Sequence, residues 1–185
     1  YILIEQKIQS VDSIKYSALF IFLSDKGYEL LAPMAHWVLP TYTQLIIIVL
    51  AIVQSRLSSS RLPGKALLPL GYSTILGLCV KRVCSANLVS KIFVSTSLDS
   101  SDNKIVEFCK NNKINSFRGS LEDVGKRLVD TALSCRQERF IRICGDSPFI
   151  DPSIIDEAIS ISKTSDFDLV TNVFPRSFPK GQSVE

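Results

Sequence analysis

Several features that would assign a protein to a common class are scarce in this chain of 185 residues. Its five cysteines form no C-x-x-C pair, so neither a zinc site nor a disulfide framework is expected, and a reducing cytosol is the natural compartment. The apolar run at 45–53 is too short to span a bilayer, which needs roughly 20 apolar residues. Residues 1–20 carry scattered charges and no secretory signal. We therefore expect a cytoplasmic protein without a membrane segment.

Acidic residues are absent from one long stretch of the sequence. No Asp or Glu occurs from Leu30 to Leu98, whereas the same stretch contains Arg56, Arg61, Lys65, Lys81, Arg82 and Lys91. Such a distribution favours a polyanionic ligand, although a chance gap in acids across a buried region is the simpler alternative. Nucleic acid is the less favoured polyanion, because the cations form no dense stripe with interleaved aromatics.

The length suits one ordinary domain with a sizeable core, preceded by a short appendage. Residues 1–43 mix apolar and polar side chains without a clear pattern, and we predict an N-terminal appendage of unknown role there. Residues 44–185 are predicted to form the domain. Because Glu185 falls within a polar stretch, we expect this domain to be incomplete at its C-terminal end.

Strand and helix patterns alternate from residue 45 onwards. Strands are predicted at 45–53, 91–97, 114–117, 139–144 and 168–173. Helices are predicted at 73–86, 99–112, 122–137 and 152–163. This alternation predicts an α/β fold with a mostly parallel sheet, helices on both faces and right-handed crossovers.

The first strand pattern breaks abruptly into a polar loop at 54–65. Three cations within ten residues, Arg56, Arg61 and Lys65, share this loop with serines and Gly64. Such a loop can bind phosphate through forked guanidinium donors, an ammonium charge and backbone N–H groups. It is not a Walker A loop, because Gly64-Lys65 is not followed by Ser or Thr. A solvated basic loop is the alternative interpretation.

Two further strand ends carry polar groups. Asp146 follows the 139–144 strand after Gly145, at a position where carboxylates bind hard metals in nucleotide-binding sheets, although a turn role explains it equally well. Ser120, Asp123 and Arg127 follow the 114–117 strand, and the first two are equally well explained as helix caps.

Three motifs, in this order and spacing, resemble the cytidylyltransferase family that includes spore coat polysaccharide biosynthesis protein F and the acylneuraminate cytidylyltransferases. They are A-I-V-Q-S-R-L-S-S-S-R-L-P-G-K, F-R-G-S-L-E-D-V and R-I-C-G-D-S-P-F-I-D-P. The resemblance covers residues 46–185. It implies a nucleotide-diphospho-sugar transferase (Rossmann-like) fold and transfer of CMP from CTP to a sugar, often a nonulosonic acid. Pyrophosphate would be released with Mg²⁺, in surface polysaccharide biosynthesis.

Two alternatives to this activity stay open. One is a nucleotidylyltransferase that uses another NTP or a sugar phosphate. The other is a degenerate, non-catalytic nucleotide-binding module, because Ser58 stands where the family usually has Gly and Ser183 replaces an Asp of a G-L-D-V-E pattern. Gly125 and Lys126 also replace a common Leu-Asp pair.

The resemblance also implies roles for individual residues. Arg56 and Lys65 are expected to be catalytic, and Asp146 is expected to bind Mg²⁺. The expected nucleotide-binding residues are Gln54, Arg56, Ser59, Arg61, Lys65, Ser120, Asp123 and Arg127. Because relatives commonly dimerise, a homodimer is expected, with CTP and a sugar acceptor as substrates.

Overall fold

The computed structural model describes residues 21–24, 27–30, 49–59, 62–164, 167–176 and 178–185. The chain divides into two compact units, residues 1–47 and 48–185. The described part of the first unit is an antiparallel pair of strands, β1 (Ile21–Ser24) and β2 (Gly27–Leu30). The expected appendage role of residues 1–43 stays a prediction.

The second unit is built on a four-stranded parallel sheet. Its strands are β3 (Val49–Gln54), β6 (Val89–Ser97), β7 (Asn115–Gly119) and β8 (Phe140–Cys144), in the spatial order β7-β6-β3-β8. A short antiparallel pair, β4 (Pro69–Leu70) and β5 (Ser73–Thr74), lies apart from it. Because β3 pairs with strands on both sides, it is central, as its continuous apolar run predicted. The predicted α/β class with a mostly parallel sheet is confirmed.

Four α-helices in the described part alternate with these strands. They are α1 (Ile75–Cys84), α2 (Asn103–Asn111), α3 (Val124–Ser134) and α4 (Pro152–Ser162). Each lies within its predicted bounds. The side chains of Thr74, Asp123 and Asp151 cap α1, α3 and α4 by accepting a backbone N–H of the first turn. Within the ranges described, none of the helices is long and apolar enough to cross a membrane.

Alternate residues of β3 supply two separate apolar cores. Ala51 and Val53 belong to the larger core, which includes buried residues of α1, α2 and α4. Leu50 and Ile52 point to the other face of the sheet, where they cluster with Leu128 of α3. Burial of each large apolar side chain contributes about 1.5–3 kcal/mol. This double coverage fixes the end of β3, from which the polar loop departs.

The strand predicted at 168–173 is wrong. In that segment only Val173 makes a strand-like contact, an isolated bridge to Arg176. The hydroxyl of Thr171 accepts the Val173 amide at 3.1 Å, while the Asn172 amide donates to the Val184 carbonyl at 3.4 Å, so the segment forms no regular strand ladder. The edge of β8 is instead taken by the last residues, because Val184 bridges Ile143 in the antiparallel direction.

Candidate functional site

A cleft of about 270 Å³ opens at the carboxyl ends of β3 and β8. Because parallel strands end at the same edge of a sheet, the residues that follow these two strands meet there. The residues that line the cleft are Gln54, Ser55, Arg56, Ser58, Ser59, Lys65, Ala66, Cys144 and Asp146. The structure therefore brings together Gln54, Arg56, Ser59, Lys65 and Asp146 of the predicted site. Arg61 lies outside the described residues.

Backbone hydrogen bonds hold the polar loop in a closed shape. The Ser55 amide donates to the carbonyl of Ser95 on β6 at 3.0 Å, and the Gly64 amide donates to the Leu57 carbonyl at 3.0 Å. Gly64 has φ +73, in the left-handed region that favours glycine, and begins a short 3₁₀ helix at Lys65. This closure leaves Arg56 exposed beside the cleft. Two cations of the loop, Arg56 and Lys65, therefore line the same cleft.

Asp102, which follows β6, anchors this loop. Its carboxylate is fully buried and accepts the Leu57 amide at 2.7 Å and the Ser97 amide at 3.0 Å. It also accepts the hydroxyl of Ser97. Asp102 was not among the predicted site residues, because it lies inside the helix predicted at 99–112. Its burial and its partner 45 residues away become visible only in the fold.

An ion pair between Lys65 and Asp146 lies at the cleft. The side chains are 27% and 41% exposed, respectively. Asp146 is placed by the preceding Gly145, whose amide donates to the Gln54 carbonyl at 2.8 Å. An ion pair this open to water contributes about 0–1 kcal/mol, so an anionic or cationic ligand can replace either partner at little cost.

Among the described residues that line the cleft, Asp146 is the one carboxylate. Within the described ranges, no three His, Cys, Asp or Glu side chains are grouped as a metal site. A single carboxylate fits Mg²⁺, which is usually held by one or two carboxylates together with substrate phosphates and water. Metal binding by Asp146 stays a prediction.

The predicted residues Ser120, Asp123 and Arg127 form a turn that does not line the described cleft. Asp123 caps α3 by accepting the Lys126 amide at 2.7 Å, and the hydroxyl of Ser120 accepts the Asp123 amide at 2.9 Å. These are the cap roles that the sequence offered as the alternative for both residues. Their contact with a nucleotide stays a prediction.

Arg127 is fully buried, which its sequence position did not suggest. Its Nη1 donates to the Ser120 carbonyl, while Nε and Nη2 have no hydrogen-bond partner among the described residues. Burial, followed by the positive charge of Arg56, lowers the pKa of the Arg127 guanidinium. Its stem packs so closely on Gly119 that a Cβ there would lie 2.8 Å from Arg127 Cγ. Arg127 therefore supports the turn in this structure, and its predicted nucleotide contact is untested.

Two side chains of the cleft bear on its chemistry. Burial is the main cause that raises the pKa of the Cys144 thiol, so this thiol stays protonated at neutral pH and is a poor nucleophile. Ser58 is exposed, and among the described residues only Lys113 and Arg136 combine a side chain with positive φ. Ser58 therefore adopts a backbone conformation that needs no glycine.

Comparison with known proteins gives a consistent family. Residues 50–178 match the model of a family described as cytidylyltransferase. The chain is 34% identical to the spore coat polysaccharide biosynthesis protein SpsF of Bacillus subtilis over 130 residues, which cover 67% of this chain and 54% of that protein. It is 31% identical to the 3-deoxy-manno-octulosonate cytidylyltransferase of Geobacter sulfurreducens over 117 residues, covering 60% of this chain and 43% of that enzyme.

A solved structure is also similar to this chain. A cytidylyltransferase from Leptospira borgpetersenii superposes with a TM-score of 0.68 at 33% identity, covering 74% of this chain and 58% of that one. The chain spans about half the length of the curated relatives that it matches.

Proposed function

Since the chain belongs to the cytidylyltransferase family, we propose that it transfers CMP from CTP to a sugar and releases pyrophosphate. The observation that carries this proposal is the cleft at the carboxyl edge of a parallel sheet, which Arg56, Lys65 and Asp146 line together. This arrangement offers cations for a triphosphate and one carboxylate for a metal ion.

The chemistry of nucleotidyl transfer explains these side chains. A sugar hydroxyl attacks the α-phosphorus in line, the bond to the leaving pyrophosphate breaks, and the hydroxyl proton is lost to water or a base. Negative charge builds on the equatorial and leaving oxygens. Arg56 and Lys65 would stabilise that charge, because cations that are already in place need no rearrangement during the reaction. Mg²⁺ held by Asp146 would add a further positive charge at the phosphates.

We further propose that the acceptor is a sugar acid, either a nonulosonic acid or a 3-deoxy-octulosonate. The name of one relative supports this class, since it is a 3-deoxy-manno-octulosonate cytidylyltransferase. A role in surface polysaccharide synthesis and a homodimeric state are parts of the same proposal.

Pyrophosphate release tests the proposal directly. The protein is incubated with CTP, Mg²⁺ and a panel of sugar acids that includes 3-deoxy-manno-octulosonate, and parallel reactions contain ATP, GTP or UTP. We expect pyrophosphate only with CTP and one class of acceptor. Release with another NTP would favour the alternative nucleotide. CTP binding without release under any condition would favour the non-catalytic module.

A further inference from the structure

A chain of three polar side chains runs from the edge of the sheet into the cleft. On β8, Arg142 pairs through Nη1 with the carboxylate of Glu185, and its Nε donates to Oε1 of Gln54 at 2.9 Å. Gln54 is the last residue of β3 and lines the cleft. Nothing in the proposed phosphate chemistry uses Arg142 or Glu185.

Backbone contacts on both sides fix the position of Arg142. Arg142 lies opposite Ile52 in the parallel register of β3 and β8, and the Arg142 amide donates to the Glu185 carbonyl at 2.6 Å. The Glu185 amide returns a bond to the Arg142 carbonyl at 3.3 Å. Arg142 is therefore held both through its backbone and through its guanidinium group.

The chemistry of Arg142 decides how the Gln54 amide is oriented. A guanidinium has only donors, so the atom of the amide that meets Nε must be the oxygen. The amide NH₂ of Gln54 is then the group that this residue can offer to the cleft. An amide without such a partner would present either its oxygen or its nitrogen to a ligand.

We propose that Arg142 is a positioning residue that, held by Glu185, sets the Gln54 amide to donate from Nε2 to an anionic oxygen of the substrate. This inference rests on the proposed function. The oxygen belongs either to a phosphate of the nucleotide or to the carboxylate of the sugar acid. Both are acceptors without a proton to donate, and an orientation that presented Oε1 would repel either one.

Equilibrium binding to the protein and its variants tests this proposal without requiring turnover. The probes are CTP, inorganic tripolyphosphate, and 3-deoxy-manno-octulosonate added in the presence of CTP. Gln54→Glu keeps an oxygen for Arg142 but removes the NH₂ donor. We expect this substitution to weaken the binding of at least one probe about tenfold or more, which is the usual effect of losing a hydrogen bond to a charged group. Weaker binding of tripolyphosphate would identify a phosphate oxygen as the acceptor. Weaker binding of the sugar acid, with CTP and tripolyphosphate binding unchanged, would identify the carboxylate.

A double-substitution comparison separates positioning from a merely structural role. Arg142→Met keeps the apolar stem of the side chain but frees the amide, and we expect a smaller loss of affinity. In a double variant with Gln54→Met, the Arg142→Met substitution should cause no further loss of affinity, because Arg142 acts only through the Gln54 amide. Asp130→Asn removes an exposed ion pair with Lys126 on α3 and serves as the matched control. Thermal unfolding of each variant checks that it is folded.

Each outcome bears on the inference. Affinities of Gln54→Glu within about twofold of wild type, or an additive loss in the double variant, would overturn it. A wild-type protein that binds none of the probes would overturn it as well. Pyrophosphate release by wild type together with unchanged binding in Gln54→Glu would sink the inference alone. Gln54-dependent binding without pyrophosphate release would sink only the proposed function.

Discussion

The carboxylate of Asp102 accepts the backbone amide of Leu57 at 2.7 Å, across 45 residues of sequence. Leu57 follows Arg56 directly, so this buried contact fixes the part of the polar loop that lines the cleft. Part of the loop's shape therefore depends on a residue that is not among those lining the cleft.

Asp102→Ala is expected to destabilise the domain and to loosen the loop together. It leaves the amides of Leu57 and Ser97 buried without their acceptor, and each such group costs about 1–3 kcal/mol. We expect the free energy of unfolding in urea to fall by about 3 kcal/mol or more. Asp102→Asn retains one acceptor oxygen and should lose less. An alanine variant as stable as wild type would show that the carboxylate is not needed.

Substitution of glycine by alanine is expected to change stability in opposite directions at Gly145 and Gly125. A Cβ at Gly145 would lie 2.9 Å from the Gln54 carbonyl oxygen and 2.9 Å from Ser55 Cβ. Gly145→Ala should therefore destabilise by about 2 kcal/mol and displace Asp146. In α3, a Cβ at Gly125 would meet nothing nearer than 3.6 Å, so Gly125→Ala should stabilise by about 0.5 kcal/mol. Thermal unfolding of both variants checks these directions. Melting temperatures that shift the same way in the two variants would contradict the packing argument.

The features that could be predicted from the sequence are those that depend on local pattern. The apolar run of β3 and the helix caps identify themselves within a few residues, and parallel strands end at a common edge. Those facts suffice to place Lys65 and Asp146 in one cleft, although 81 residues separate them. No knowledge of individual contacts was needed.

The features that could not be predicted depend on long-range pairing. Nothing near Glu185 in the sequence indicates that it joins the edge of β8 and pairs with Arg142. Burial of Arg127 likewise follows from the packing of α3 on the turn at Gly119, which local pattern does not encode.

A pH dependence of stability is expected from the cap of α4. Asp151 accepts the Ser153 amide at 3.0 Å and the Ser153 hydroxyl at 2.9 Å, and these bonds lower the pKa of its carboxyl below the ordinary value. A lowered folded-state pKa gives stability that is present above the unfolded pKa and lost as the pH falls through the folded one. The melting temperature should therefore decrease below about pH 4.

Asp151→Ser isolates this contribution, because serine caps a helix without titrating. The variant should melt close to wild type at neutral pH and show a weaker decrease in acid. Identical acid profiles for the two proteins would assign the pH dependence to other carboxylates, such as Asp99, whose pKa is also lowered by its bonds with Ser101.

The ion pair between Lys65 and Asp146 predicts that binding and stability respond differently to substitution. Because both side chains are partly exposed, Asp146→Asn should change the free energy of unfolding by no more than about 1 kcal/mol. In wild type we expect CTP to bind more tightly with Mg²⁺ than with EDTA, and Asp146→Asn should remove that difference. Lys65→Gln should weaken CTP binding in both conditions, because in the proposed function Lys65 supplies one of the charges that hold the phosphates. A metal dependence that survives Asp146→Asn would show that other ligands hold the ion and that Asp146 serves only as the partner of Lys65.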